Sequence, residues 1–67
     1  MVGWISRQAF VELKVGDSLG NGRRIGEAVM SEAKALCEGR TVKDISHSVL
    51  TYAPFDFAIV NVIGREE

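Results

Sequence analysis

The side chains best equipped for chemistry are few and far apart: a single histidine, His47, a single cysteine, Cys37, and Ser18, which follows Asp17. A nucleophile needs a base within hydrogen-bond reach, and none of these residues has one at a recognised catalytic spacing. His47 reads as a sheet-facing histidine that hydrogen-bonds within an interface, rather than as a general base. Cys37 stands beside Leu36 on an apolar helical stripe and reads as a small buried hydrophobe. Ser18 suits a turn or a cap. A single cysteine and a single histidine cannot build a closed four-ligand zinc site. The expectation is a protein without catalysis and without a metal.

A second chemistry is suggested by VGDSLGNGRRIGEA, residues 15–28, where glycines lead into a helix start. Backbone N–H groups at such a start can hold a phosphate. Gly20, Gly22 and Gly26 give G-x-G-x-x-x-G, one residue longer than the dinucleotide fingerprint, with Asp44 at roughly the distance of its ribose-binding acid. Three features refuse the full motif: the spacing, a chain too short for a doubly wound sheet, and the half-polar strand that Asp44 opens. Two readings remain. Gly20, Asn21 and Gly22 form a turn with Asn21 as the N-cap, or the helix start and Arg23 or Arg24 hold an anion. A third chemistry is stacking. Trp4 and Tyr52 combine ring faces with polar handles at strand positions from which a planar ligand could be met. Asn61, the polar residue of the last strand, must find partners if buried, with His47 across a hairpin or with a ligand.

The elements that must position these groups follow from hydrophobic periodicity. In AFVELKV, residues 9–15, Ala9, Val11, Leu13 and Val15 alternate with Phe10, Glu12 and Lys14, so residues 4–15 are expected to be mostly strand. Ile25, Ala28, Val29, Ala33, Leu36 and Cys37 then form one helical stripe, interrupted only by Glu32. Gly39 supplies the stop of a helix over about residues 22–38. In TVKDISHSVLTY, Ile45, His47, Val49 and Thr51 alternate with Asp44, Ser46, Ser48, Leu50 and Tyr52. APFD reads as a turn. FAIVNVI closes the chain as a β-branched strand, with Phe57, Ile59, Asn61 and Ile63 opposed to Ala58, Val60 and Val62. The prediction is a single α+β domain over residues 1–67, order β-α-β-β, with one helix packed on a small antiparallel sheet.

The chain has 67 residues, 46% hydrophobic and 25% charged, with a net charge of −1. That composition folds, but a chain of about 60 residues buries only roughly 60% of its unfolded surface. Small cores are usually supported by disulfides, metals or oligomerisation, and here oligomerisation is what remains, with an idealised monomeric fold as the alternative. The far face of the sheet would carry Phe10, Glu12, Lys14, Ser46, Ser48, Leu50 and Tyr52, too apolar in places for plain solvent surface, so another subunit or a flat ligand is expected to cover it. Scattered basic residues argue against a nucleic-acid partner. No apolar run of membrane length and no secretion signal stand in the sequence, so no membrane partner is expected and the expected location is cytoplasmic.

VELKVGDS, residues 11–18, together with the strand, helix, strand, strand order, resembles the dodecin family, small flavin-binding proteins that assemble into hollow dodecamers. The stretch is similar to that family's first strand and its Val-Gly-Thr-Ser turn, with Asp17 in the threonine place. The resemblance implies the α+β fold, a homo-oligomer and flavin as a cofactor. TVKDISHSVLTY lacks the tryptophan with which dodecins stack on flavin, and LGNGRR and APFD also differ, so no flavin-binding residue is carried over. The functional expectation is a non-catalytic homo-oligomer that binds or sequesters a planar or anionic small molecule, flavin- or nucleotide-like. Trp4, His47, Tyr52 and Asn61 would stack and hydrogen-bond, and Arg23 and Arg24 would meet an anionic group. The alternative is an interaction or scaffold module whose aromatic face meets only protein.

Overall fold

The computed structural model describes residues 3–52 and 56–67. Its order is β1 (Gly3–Glu12), α1 (Ser18–Cys37), β2 (Val42–Tyr52) and β3 (Phe57–Glu66). This is the α+β arrangement expected from the periodicities. The three strands form one antiparallel sheet in the order β1-β3-β2, so the last strand lies in the middle. Val2 and most of the APFD turn, residues 53–55, lie outside the described residues.

β3 is central because its two faces are both apolar enough to be covered. Ala58, Val60 and Val62 point at the helix and are fully buried. Val11 and Leu13 from the β1 side and Leu36 from α1 complete the buried cluster, with Ile5, Ala9, Ile25, Ala28, Val29, Ala33, Val42 and Val49 packed around it. The helical stripe read from the sequence is thus the face laid on the sheet. Its one apparent flaw, Glu32, is explained by β1. Arg7 Nε lies 3.2 Å from Glu32 Oε2, and the Glu32 side chain is only 15% exposed. A carboxylate can sit on the packed face because a guanidinium from the sheet meets it there.

The first strand is shorter and the helix longer than periodicity suggests. β1 ends at Glu12, and α1 starts at Ser18, four residues before the expected start. Asp17, not Asn21, is the N-cap: its Oδ1 accepts the Gly20 N–H at 3.2 Å. Gly20, Asn21 and Gly22 therefore lie inside the helix, despite a cost of about 1 kcal/mol for each glycine relative to alanine. Three local interactions favour this outcome. Asn21 clamps the preceding loop, with its Oδ1 accepting from Lys14 N at 2.8 Å and its Nδ2 donating to Lys14 O at 2.7 Å. Arg24 reaches back to Asn21 Oδ1 at 2.6 Å and to Asp17 Oδ2 at 3.1 Å. The Lys14 backbone is thus satisfied by a side chain, and the strand has no need to continue. Gly16, at φ +82°, makes the turn between them, where a side chain would be strained. At the other end Gly39, at φ +73°, stops the helix as expected.

β2 carries a feature that strict alternation hides. Lys43 pairs with Arg65 but Ser46 pairs with Ile63, so β2 holds one extra residue there. This is a β-bulge, and Asp44 occupies it at φ +56°. The bulge puts Val42 and Ile45 on the same, helix-facing side although they are an odd number of positions apart. Both lie against Gly64, where an added Cβ would strike Val42 Cγ1 and press on Leu36 Cδ2. Gly64 is required by this close approach.

Candidate functional site

The sheet has one face under the helix and one without cover among the described residues. Cross-strand partners point to the same side of a sheet, so the register fixes what the open face carries, as five rows across β1, β3 and β2. These are Glu12–Phe57–Tyr52, Phe10–Ile59–Leu50, Gln8–Asn61–Ser48, Ser6–Ile63–Ser46 and Trp4–Arg65–Lys43. The expected far-face residues Phe10, Glu12, Ser46, Ser48, Leu50 and Tyr52 are all here. Lys14 belongs instead to the loop beyond β1.

One end of this face is aromatic. Phe57 lies between two rings, with its centroid 4.9 Å from that of Phe10 and 4.7 Å from that of Tyr52, and interplanar angles of 14° and 13°. These are stacked contacts that hold the three rings as a rigid shelf. Leu50 and Ile59 extend it. The middle row is polar: Gln8 Nε2 donates to Asn61 Oδ1 at 3.1 Å, which leaves the Gln8 carbonyl and the Asn61 amide nitrogen to be met from above the sheet. The far end is aromatic and carries two ion pairs. Arg65 Nη2 lies 2.9 Å from Asp44 Oδ2, and Lys43 Nζ lies 3.1 Å from Glu67 Oε1. Arg65 Nε is buried without a hydrogen-bond partner among the described residues. Trp4 stands in the same row as Arg65.

The exposure of the face is large. Trp4 is 63% exposed, Phe10 68%, Leu50 54%, Tyr52 40% and Ile63 39%. The chain offers no enclosed alternative, since no cavity is found among the described residues, and no group of three histidine, cysteine, aspartate or glutamate side chains that could hold a metal lies among them. No helix among them is long and apolar enough to cross a membrane.

Of the six residues read from the sequence as ligand contacts, the structure brings Trp4, Tyr52 and Asn61 onto this face. Trp4 and Tyr52 are nevertheless at opposite ends of it. Their partners on β3, Arg65 and Phe57, are eight residues apart, about 26 Å at roughly 3.3 Å per residue. One small ligand cannot touch both rings of one chain. His47 pairs with Val62 and so lies on the helix side of β2, at a margin of the sheet that the helix leaves exposed. It cannot partner Asn61, which points to the other face and is met by Gln8 from β1. That expectation took the hairpin as the whole neighbourhood of Asn61; with β3 in the middle, the partner comes from β1.

Arg23 and Arg24 lie at the start of α1, away from the open face. The positive helix end is already met by the chain's own carboxylate. Asp17 caps it and pairs with Arg24, and these hydrogen bonds, Arg24 first and Gly20 N–H second, hold the Asp17 carboxyl below its usual range. Arg24 is committed to that contact, while Arg23 is exposed. Cys37 is half-buried next to the buried Leu36.

The sequence reading missed Phe57, Ile59, Ile63, Lys43 and Arg65 as members of the site. Phe57, Ile59 and Ile63 were legible as one face of the last strand, but which face met the helix was not. Lys43 and Arg65 could be assigned only through the bulge. The chain matches no family model, and no curated protein or solved structure shows significant similarity to it.

Proposed function

We propose that this protein is a non-catalytic homo-oligomer that binds a planar, anionic or mixed-charge small molecule where subunits meet on the open sheet face. The observation that carries the reading is the exposed row pattern: a stacked shelf of Phe10, Phe57 and Tyr52 at one end and Trp4 beside Arg65 and Lys43 at the other. A contiguous apolar patch rimmed by polar residues marks an interaction surface. Within a single chain no concave site encloses a ligand, and flat ring faces bind flat partners by stacking. The site is thus assigned to the junction of two copies, with Trp4 and Tyr52 as stacking groups, Asn61 as a hydrogen-bonding group, and Arg65 or Lys43 meeting an anionic group in exchange for its own partner, Asp44 or Glu67. The likeness to dodecins supports assembly and makes flavin the first ligand to try.

Native mass spectrometry of freshly purified protein, with its absorption spectrum, tests this reading. The expected result is a mass that is a multiple of the 7.3 kDa chain with a chromophore, or one that takes up an added flavin or nucleotide. Trp4→Ala then separates ligand binding from assembly. Retained oligomer with lost uptake supports the ligand reading, and a monomer without ligand overturns it. A scaffold reading has one observation in its favour: the three stacked rings already satisfy one another, as anchors of a protein interface do. An oligomer that takes up no ligand, and that Trp4→Ala dissociates, would select it.

A further inference from the structure

We propose that the outer edge of β1 is a second contact of the assembly, pairing antiparallel with β1 of another copy about a two-fold axis through Gln8. The contact rests on the homo-oligomer reading and lies beside the open face, not on it. The two outer strands of a three-stranded sheet leave backbone groups unpaired, and proteins blunt such edges with bulges, prolines, lysines or a covering element. β2 is blunted, since its ladder breaks at the Asp44 bulge. β1 is not: GWISRQAFVE keeps one register with β3 over its full length and holds neither proline nor lysine.

Hydrogen bonding fixes how much of that edge is free. In an antiparallel ladder one residue directs its N–H and C=O to one side and the next directs them to the other. Leu13 N–H donates to Asp56 O at 2.8 Å, so Leu13 and the odd-numbered residues before it face β3. Trp4, Ser6, Gln8, Phe10, Glu12 and Lys14 therefore face outward. The last of these is closed by the chain itself, because the Asn21 carboxamide takes both the N–H and the C=O of Lys14, as a neighbouring strand would. The other five have no backbone partner among the described residues.

That closure sets the register. Outward residues pair only with outward residues, and a two-fold through Gln8 joins Trp4 to Glu12, Ser6 to Phe10 and Gln8 to Gln8. All five are used, and the pairing stops short of Lys14. Sliding the strands one way calls on Lys14, which Asn21 holds, and sliding them the other way takes Glu12 past the start of β1. On the helix side Ile5 then lies opposite Val11 and Arg7 opposite Ala9, so no like charges oppose one another.

A second copy fits this edge because it brings its own helix. α1 lies mainly over β1 and β3, roughly one strand spacing of about 4.8 Å from the axis, so the two helices run about 10 Å apart, the separation of packed helices. The flank of α1 that reaches the outer edge carries Asn21 and Arg24, and helical spacing adds Ala28, Ser31 and Ala35 to it. Gln8 follows Arg7, which meets Glu32, so the axis passes near Ser31 and lays Ala28 of one copy against Ala35 of the other. These small side chains admit the approach. The pairing also joins the two open faces: Trp4 of one copy becomes the diagonal neighbour of Phe10 in the other, and Phe57 and Tyr52 stack onward from Phe10. The stacking residues that stand at opposite ends of one chain thus meet in one site between chains. Hydrogen bonds exchanged with water contribute little net, so the edge adds to the open-face contact and does not hold two chains by itself.

Proline at Ser6 tests the edge, because it removes an outward N–H and leaves the hydrogen bonds to β3 in place. Sedimentation equilibrium, with circular dichroism to show folding, is expected to find Ser6→Pro at half the wild-type mass or less, and Ser6→Ala, which keeps the N–H, at the wild-type mass. Ser31→Arg lies across the sheet from the open face and is expected to lower the mass as Ser6→Pro does; it carries the test alone should Ser6→Pro fail to fold. A folded Ser6→Pro or Ser31→Arg at the wild-type mass, or a loss with Ser6→Ala, overturns the edge pairing while leaving the homo-oligomer reading intact. A monomeric wild type overturns both.

Discussion

The two faces of the sheet are built from the same three strands and carry similar amounts of apolar side chain, yet they differ in how that apolar surface is treated. On the helix side Ala58, Val60 and Val62 are sealed under α1, and the one acid among the helix's packed residues, Glu32, is met by Arg7. On the other side Phe10, Leu50 and Tyr52 stand in the open, with a satisfied amide contact between Gln8 and Asn61 among them. The first face is closed within the chain. The second leaves large apolar side chains exposed among polar and charged ones, which is why the functional reading is placed there. A chain this small gains little from one face alone, since the buried cluster among the described residues holds six side chains, and surface-to-volume scaling leaves such a core marginal.

Substitutions on the two faces should therefore separate stability from assembly. The largest effect belongs to Val60→Asp, which would bury an unpaired carboxylate in the sealed cluster. A cost of about 3–5 kcal/mol is expected, enough to unfold much of a small domain, and the loss of the circular dichroism signal would show it. Leu36→Ala removes the buried helix contact and should cost about 2–5 kcal/mol, read as a fall in the urea midpoint. Leu50→Asp on the open face should leave the unfolding midpoint of the isolated chain nearly unchanged but abolish association. If it unfolds the chain as Val60→Asp does, the two faces are not different in kind.

The smallest effect concerns the helix start, which belongs to neither face. Asp17→Ala should lower thermal stability less than Leu36→Ala does. The pH dependence has a definite sign. The folded carboxyl titrates below its unfolded value of 3.8, so its contribution is full above that pH and is lost as pH falls through the lower folded value. Acid titration of the wild type and of Asp17→Ala should bring their stabilities together as pH falls below the unfolded value of 3.8 and on through the lower folded one, and curves that stay parallel throughout would remove Asp17 from the account.

Much of this was legible in the sequence because the hydrophobic period reports which side of an element is covered. The stripe from Ile25 to Leu36 and the alternation of Val11 and Leu13 sufficed to lay the helix on the sheet, and Gly39 to stop it. The helix start was not legible. Two glycines near an asparagine resemble a turn, and only the contacts of Asn21 with Lys14 and of Asp17 with Gly20 and Arg24 make the helical conformation the better one. The bulge was also hidden, since nothing in VKDIS distinguishes Asp44 from a residue in regular alternation. Its consequence is large: without it, Val42 would point to the open face. The candidate site was half legible for a related reason. Trp4, Tyr52 and Asn61 were identified by residue type, but their distribution over one face depends on β3 lying between β1 and β2, an order that pairwise hairpin reasoning does not supply.

The central claim, that the open face is where copies of this chain meet, is tested most directly by sedimentation equilibrium of the wild type beside Leu50→Asp. The account predicts a wild-type mass that is a multiple of 7.3 kDa and a folded variant at the mass of one chain. A wild type at the mass of one chain, or a variant that assembles as the wild type does, would contradict it.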